Sequence, residues 1–457
     1  MKTHDPTIPK LNFAPDKSFN ILKNAMTTLP IQDLMPNVSV VKQFDTVSLG
    51  RKVVTAQHQY RSGRCWIFAA INLIRRNMIT DLKLPPEFNL SHAYIFFYVL
   101  LERSNTCLEN LWFFTKKGYD MDSLQYKYES GVDISDGGQF RTFCDIIEKY
   151  GIVPYDVFPD NYQARHSSDM DELIENILRQ SASEIFNMKE NKYCTFTEIK
   201  VKALEKIYYI LCTFLGIPPQ SFSFTWPTKN ASAKFAKGGA KKVKHFIDEI
   251  TPLDFYKKYV QKYANIQQII MLSQDPRKQS YSWLAPKYSC EVLSKSVDVS
   301  QMDEIVWPLC FNMKDILEIK KIALKSLKDG HAVMFYCDVG QFFNRRLDLL
   351  AYEASTIPKM FNIDIWNMPK EEALRCGIIK TTHAMTLIGY DEINDVWEVE
   401  NSWGDLQPIT MSGEWFNRFV TAVFVKKTYI PSSTRKKIKE AKIPSKPNMP
   451  KFDAAWR

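Results

Sequence analysis

A cysteine, a histidine and two side-chain amides have the types and spacing that nucleophilic catalysis needs. Cys65 opens an apolar run in which Ile67, Ile71, Ile74 and Met78 recur every three or four residues, which predicts a helix with the thiol at its N-terminus. A thiol attacks as the thiolate, and a helix N-terminus beside an imidazolium lowers a cysteine pKa. A lone cysteine before an apolar helix is more often a small core residue, so its neighbours decide.

The residues before Cys65 supply a tight turn and a hydrogen-bond donor. Gly63 lets the chain turn into the helix, and Gln59 lies six residues before the cysteine in QYRSGRCW. In thiol acyl transfer, the nucleophile's backbone N–H and an amide side chain can donate to the oxyanion of the tetrahedral intermediate. By itself Gln59 would be a solvated loop residue, but its spacing to Cys65 favours an oxyanion donor.

A hairpin is predicted near the C-terminal end of the chain. Two strand-like runs, 383–390 and 396–403, flank the turn-forming DEIND. With the turn centred near Ile393, paired residue numbers sum to about 786, so Asn401 lies opposite Met385 and His383 opposite Trp403. A histidine and an asparagine thus become neighbours by strand pairing alone.

His383 is the expected general base. The sequence has seven histidines, but only His383 has an orienting amide placed by a hairpin. The side-chain oxygen of Asn401 can fix the imidazole ring and its tautomer, and Trp403 can cover that bond from water. A lone strand histidine is usually a core or edge residue, and a lone NSW is usually a turn. Together with SGRCW they indicate a Cys–His–Asn catalytic site.

The surrounding elements predict an α+β fold with a helical lobe and an antiparallel β lobe. Helices are expected within 91–128 and over 140–149, and a later helix capped by Asn312 is followed by a strand over 332–337. The expected organisation is an N-terminal arm (1–50), a helical lobe with the nucleophile (51–160), a helical insertion (161–265), a β-rich lobe with His383 and Asn401 (266–430) and a basic C-terminal arm (431–457).

The 457-residue chain is 45% hydrophobic and 13% aromatic, which predicts a packed fold. Its net charge of +9 is uneven, because 234–244 carries five lysines without an acid and 431–451 carries seven basic residues against one glutamate. The body is therefore nearly neutral. Each basic segment is either a solvated surface, the favoured interpretation, or a weakly indicated binding site for a polyanion such as nucleic acid.

Cysteine usage and the N-terminus bear on the compartment. The nine cysteines are scattered, odd in number and contain no CxxC pair, so neither disulfides nor a zinc site is expected. No metal or organic cofactor is suggested. The N-terminal residues lack an apolar signal-type stretch, and the longest apolar run is shorter than the ~20 residues that span a bilayer. An intracellular protein without membrane contact is the expectation.

Ordered sequence blocks resemble a known family. QYRSGRCWIF, DGGQF, EKYGIVPYDVFP, TPLDFY, DPR, SLKDG, CDVG, THAMTL and VENSWG follow the order found in bleomycin hydrolases and bacterial aminopeptidases C, a subfamily of papain-like cysteine peptidases. The resemblance implies a papain-like fold with helical insertions, usually assembled as a homohexamer, and cytosolic thiol aminopeptidase activity on peptides and on bleomycin-like amides.

The resemblance also implies particular binding residues. Gly137 and Gly138 of DGGQ resemble the glycine pair that binds extended substrate, with a plain turn as the alternative. In the family the C-terminal arm lies in the cleft and its terminal carboxylate receives the substrate's amino group, a role that would fall to Arg457. The chain departs from the family at His58, where asparagine is usual, and in a shorter ending than WDPMGALA. An endopeptidase, or a polyanion-binding oligomeric scaffold with incidental peptidase activity, are the alternative functions.

Overall fold

The computed structural model describes residues 17–34, 36–37, 57–123, 132, 134, 136–188, 194–229, 242–265, 268–284, 310–404 and 408–443. Its helices, in chain order, are Lys17–Thr28, Ile31–Leu34, Cys65–Asp81, His92–Lys117, Phe140–Tyr150, Tyr162–Arg165, Ser168–Asn187, Phe196–Leu215, Pro252–Phe255, Gln261–Ala264, Ile316–Lys328, Ile357–Phe361, Lys370–Arg375, Gly413–Phe419 and Ser432–Glu440. Its strands are β1 (Phe222–Lys229), β2 (Lys242–Ile250), β3 (Ile269–Ser273), β4 (Ser282–Leu284), β5 (Cys310–Asn312), β6 (Val333–Cys337), β7 (Phe343–Asn344), β8 (Leu349–Leu350), β9 (His383–Asp391), β10 (Val396–Glu400), β11 (Ile409–Ser412) and β12 (Val420–Lys426).

The helix Cys65–Asp81, called the nucleophile helix below, begins at Cys65 as predicted. Its apolar repeat is completely buried, with Ile67, Ile71 and Ile74 at 0% exposure. The same core contains side chains of the helices His92–Lys117, Phe140–Tyr150, Ser168–Asn187 and Phe196–Leu215. Because the nucleophile helix lies inside this core, the thiol at its end is held on a rigid support.

The main sheet joins ten described strands in the order β4-β5-β3-β12-β6-β9-β10-β11-β8-β7. Its central strands are buried on both faces. In β6, Met334 and Tyr336 belong to the core around the nucleophile helix, whereas Val333 and Phe335 belong to a second core that also contains Ile319 of the helix Ile316–Lys328. Alternating side chains of one strand therefore fill two different cores, which is why the run VMFYC is continuously apolar.

The predicted hairpin forms from β9 and β10, and its register is confirmed next to the site. Glu400 pairs with Thr386, so their residue numbers have the predicted sum of 786. The numbers of the pair Trp397 and Tyr390 sum to one more, because a β-bulge lies between Glu398 and Val399. The second strand is shorter than expected. It ends at Glu400, and Trp403 instead forms an isolated bridge with His58.

Two sequence expectations about local structure were wrong. The helix Ile316–Lys328 is capped by Asp315, whose carboxylate accepts from the N–H of Leu317 at 2.9 Å, and not by Asn312. Asn312 ends β5, where its side-chain oxygen accepts from the N–H of Asp275. The segment 161–265 is not wholly helical either, because β1 and β2 form an antiparallel hairpin within it.

Several predicted features lie partly or wholly outside the described residues. They are most of the lysine-rich segment 234–244, the end of the C-terminal arm including Arg457, and most of the N-terminal arm. The described part of the N-terminal arm includes a helix, Lys17–Thr28, with no buried residue, and Pro36 forms a bridge with Ser355. Among the described helices, none has the length and hydropathy needed to cross a membrane.

Candidate active site

A buried arginine anchors the turn that carries Cys65. Arg64 is 0% exposed, and its guanidinium forms a salt bridge with Asp160 at 2.9 Å and donates to the hydroxyl of Ser62 at 2.9 Å. On its other sides it lies against the rings of Phe68 and Phe96. Because Arg64 immediately precedes the nucleophile helix, these contacts fix the point at which the helix begins.

His383 and Asn401 are hydrogen-bonded as predicted, with 2.8 Å between Nε2 of the imidazole and Oδ1 of the amide. The same Oδ1 accepts from the backbone N–H of Ser402 at 2.8 Å, which identifies it as the oxygen. Nε2 of His383 must therefore carry the proton of this bond, and Nδ1 of the neutral ring has its lone pair free to accept a proton. The ring of Trp403 lies 4.7 Å from the imidazole, centroid to centroid.

Cys65 and His383 face one cavity. Ala384, the residue after His383, lines the same cavity. Burial raises the pKa of the Cys65 thiol. The backbone N–H groups of Ala384, Trp66 and Cys65 itself lower this pKa, but by less. Burial also lowers the pKa of His383 to about 4, while the bond to Asn401 raises it. Burial thus favours the uncharged form of each group, and mutual attraction in an ion pair would add to the hydrogen bonds that oppose it.

Gln59 is buried and bonded to both parts of the site. Its Oε1 accepts from the Ser402 hydroxyl at 2.6 Å, and its Nε2 donates to the Ser62 carbonyl at 2.5 Å. Its backbone N–H donates to the Ser402 carbonyl at 2.8 Å. An amide nitrogen has two hydrogens, so one remains for an acceptor in the cavity. The residue after Asn401 therefore orients the predicted oxyanion donor.

The cavity has a volume of about 1310 Å³, and its lining includes Gln59, Cys65, Gly137, Gly138 and His383. At Gly138 an added Cβ would lie 2.5 Å from the ring of Trp66, so only glycine lets the backbone come this close to the nucleophile helix. The predicted glycine pair therefore borders the same space as the Cys–His pair.

The cavity lining is rich in basic side chains. Among its described residues are Arg277, Lys278, Lys370, Lys380 and Lys442. Asp275 is the single carboxylate that these described residues contribute, and Arg277 holds it at 2.8 Å. The described lining therefore offers no uncommitted anion to a positively charged ligand.

A buried ion cluster joins the nucleophile helix to the strand that leads to Asn401. One carboxylate oxygen of Glu400 accepts from Arg75 and the other from Arg76, each at 2.7 Å. Arg75 is completely buried, and burial lowers its pKa while Glu400 raises it. Because Glu400 directly precedes Asn401, the cluster fixes Asn401, and the imidazole of His383 bonded to it, relative to the helix that carries the thiol.

Sequence reasoning missed three positioning residues: Ser402, Glu400 and Asp136. All three lie within the blocks VENSWG and DGGQF. Their types gave no signal of their own, because each acts through partners more than 70 residues away in sequence. Arg457, the predicted amine-binding terminus, lies outside the described residues.

Comparison with known proteins gives a consistent result. The model of the peptidase C1-like family matches residues 8–451. The chain is 30% identical to human bleomycin hydrolase over 441 residues, covering 93% of this chain and 91% of that protein. It is 31% identical to aminopeptidase C of Lactobacillus delbrueckii subsp. lactis, covering 92% and 88%. The crystal structure of PepW from Lactobacillus rhamnosis superposes with a TM-score of 0.77 at 30% identity, covering 93% and 92%.

Proposed function

The chain belongs to the peptidase C1-like family, and we propose that it is a thiol aminopeptidase that removes N-terminal residues from peptides. The observation that carries the proposal is the single cavity shared by Cys65, His383 and Gln59. Bleomycin-like amides are a further proposed substrate class, since mammalian relatives are named bleomycin hydrolases. We also propose a papain-like two-lobe arrangement, with lobes at 51–160 and 266–430, an insertion at 161–265 and terminal arms at 1–50 and 431–457.

The proposed first step is formation of the nucleophile. Nδ1 of His383 accepts the proton of Cys65, which gives a thiolate at the N-terminus of a 17-residue helix and an imidazolium held by Asn401. The helix N-terminus favours the anion, and the ion pair compensates the burial of each charge. Asn401 is neutral, so it orients the ring without competing with the thiolate for the positive charge.

The thiolate sulfur then attacks the scissile carbonyl carbon, and the carbonyl oxygen becomes an oxyanion. The free hydrogen of Gln59 Nε2 and the backbone N–H of Cys65, which has no partner within its own helix, are the proposed donors to it. The imidazolium gives its proton to the departing amine as the C–N bond breaks, which leaves a thioester. Water deprotonated by His383 hydrolyses the thioester and regenerates the thiol.

Restriction to free N-termini is proposed to come from the C-terminal arm. Lys442 lines the cavity, and the 15 residues that follow it could reach about 50 Å if extended, far enough to enter the cleft. A substrate ammonium needs an anionic partner, and the described lining offers no uncommitted carboxylate. The terminal carboxylate of Arg457 would supply that anion. Gly137 and Gly138 are proposed to bind the substrate backbone.

The test uses aminoacyl-aminomethylcoumarins and their N-acetylated counterparts under reducing conditions. We expect cleavage of free-amine substrates, and its loss in Cys65→Ala. Deletion of residues 456–457 should reduce free-amine cleavage and increase cleavage of acetylated substrates. Arg457→Ala is the matched control, because it changes the side chain but keeps a carboxylate at the same chain position. If wild type prefers acetylated substrates, the protein is an endopeptidase; if it cleaves neither set, the proposed function is wrong.

Assembly and location stay predictions. A homohexamer and a cytoplasmic location are expected from the family resemblance, and light scattering after size exclusion would give the mass of the assembly.

The basic segments 234–244 and 431–451 could bind a polyanion, which would appear as binding that weakens steeply with salt.

A further inference from the structure

Asp136 connects the two loops that border the nucleophile. Its Oδ2 accepts from the backbone N–H of Gly63 at 2.8 Å, and its backbone oxygen accepts from the indole N–H of Trp66 at 2.8 Å. Gly63 packs so closely that an added Cβ would lie 2.7 Å from the Asp136 Cβ. Asp136 also directly precedes Gly137 in sequence. One residue therefore positions the turn before Cys65 and the proposed substrate-binding backbone.

The other side of Asp136 meets the helix Ser168–Asn187. The hydroxyl of Ser167 donates to Asp136 Oδ2 at 2.5 Å. Asp171 lies one turn after Ser167, where its backbone N–H donates to the Ser167 carbonyl at 3.0 Å, and its carboxylate interacts with that of Asp136. One oxygen of each carboxylate, Oδ1 in both cases, is buried without a donor from the described residues. Two carboxylates can bond to each other only if one of them carries a proton, and one shared proton would satisfy both buried oxygens.

We propose that Asp136 and Asp171 share one proton, and that this carboxyl pair is a positioning element for the turn that carries Cys65. The inference rests on the proposed thiol peptidase function and deepens it. When the proton is lost, two adjacent carboxylates repel each other, and the Asp136 side chain is pushed from its bond to Gly63. Asp171 touches no reacting atom and acts through Asp136.

The other charged groups near the two carboxylates do not neutralise them in place of the shared proton. Glu175, one turn further along the helix, adds negative charge and is itself bonded to Arg179 at 2.7 Å and to the N–H of Ile134. Arg103 bonds to the Gly137 carbonyl from the opposite side. Burial, Asp136 and Glu175 raise the pKa of Asp171 to about 8, and the Ser167 hydroxyl lowers it.

The pair is expected to act through loop position and not through direct charge effects on catalysis. Burial and backbone N–H groups shift the pKa of Cys65, and burial, Asn401 and Arg345 shift that of His383. Neither carboxylate is among these causes. Loss of the shared proton above pH 8 should therefore slow thiol reactions by misplacing Cys65.

The sign of the stability effect follows from the raised pKa. The folded protein holds the Asp171 proton up to about pH 8, whereas an unfolded aspartate loses it near 3.8. Folded protein binds more protons between these values, so Asp171 lowers stability progressively as pH rises from about 4 to 8. An amide at this position has no such titration. Asp171→Asn should therefore gain thermal stability relative to wild type over this range, with the difference constant above it.

The deciding experiment compares Asp171→Asn with wild type between pH 6 and 9. The asparagine can donate permanently to Asp136, as the protonated acid does. We expect the kcat/KM of the variant divided by that of wild type to be near 1 at pH 6 and about 10 at pH 9. The reason is that only about a tenth of the Asp171 side chains in wild type keep their proton at pH 9. Ionisation of the substrate amine cancels in this ratio. Asp169→Asn, an exposed acid on the same helix, is the matched control and should give a ratio near 1 throughout.

A second measurement separates this inference from the proposed function. The rate of Cys65 alkylation by iodoacetamide needs no peptidase activity, and its variant-to-wild-type ratio should rise with pH in the same way. If wild type cleaves no substrate but the alkylation ratio rises, the proposed function fails and the carboxyl pair stands. A flat ratio in both assays from pH 6 to 9, or a loss of alkylation in Asp171→Asn at pH 6, would overturn the carboxyl pair.

Discussion

Replacing Glu400 by glutamine tests whether the buried ion cluster holds the site together. The substitution keeps the side-chain volume but removes the charge shared by Arg75 and Arg76, whose side chains are 0% and 4% exposed. Glutamine retains one oxygen acceptor, so one of the two charge-assisted bonds is lost outright and the other is weakened, at roughly 1.5–3 kcal/mol for each bond to a charged group. Two buried guanidinium groups also lose the carboxylate charge that they share.

These contributions predict a loss of about 3–5 kcal/mol in the free energy of unfolding, the range expected when one partner of a buried ion pair is removed. Activity should fall as well, because Glu400 adjoins Asn401 and a shift of about 1 Å in the base can cost about 10²-fold in rate. Urea unfolding and kcat/KM for a free-amine coumarin substrate measure the two effects.

Glu392→Gln is the matched control. Glu392 lies in the turn of the same hairpin and pairs with Lys328, with the two side chains 54% and 53% exposed. An exposed pair of this kind contributes at most about 1 kcal/mol. If Glu400→Gln loses no more stability than Glu392→Gln and keeps full activity, the cluster does not position the site and the reasoning is refuted.

Three further substitutions have defined outcomes. Gln59→Ala should lower kcat by about 10²–10³-fold through loss of an oxyanion donor, and an unchanged kcat with a raised KM would contradict that role. Asn401→Ala should lower kcat/KM by about 10²-fold by releasing the imidazole, which steady-state assays would show; a change below threefold would argue against orientation by Asn401. Gly151→Ala should destabilise more than Gly118→Ala in urea unfolding. Both glycines have positive φ, but a Cβ at Gly151 would lie 2.2 Å from Pro252, whereas Gly118 has open space; equal losses would refute the steric contribution.

Local sequence patterns were sufficient to predict the start of the helix at Cys65 and the hairpin that carries His383. The apolar repeat after Cys65 placed the thiol at a helix N-terminus, because helical periodicity is visible within one segment. The turn at DEIND set the pairing of β9 and β10, because a short hairpin leaves few possible registers. The end of β10 at Glu400 was not predictable, since Trp403, three residues further on, forms a bridge with the distant His58.

The sequence by itself determined which residue types are available for thiol chemistry and placed His383 beside Asn401. The tertiary structure decided what holds them. Glu400 meets Arg75 across 325 residues, and Gln59 meets Ser402 across 343. Asp136 meets Gly63 and Asp171 from two different elements. The packing of whole helices and strands determines which buried polar groups meet and hydrogen-bond. These partners are far apart in sequence, so no local sequence pattern encodes them.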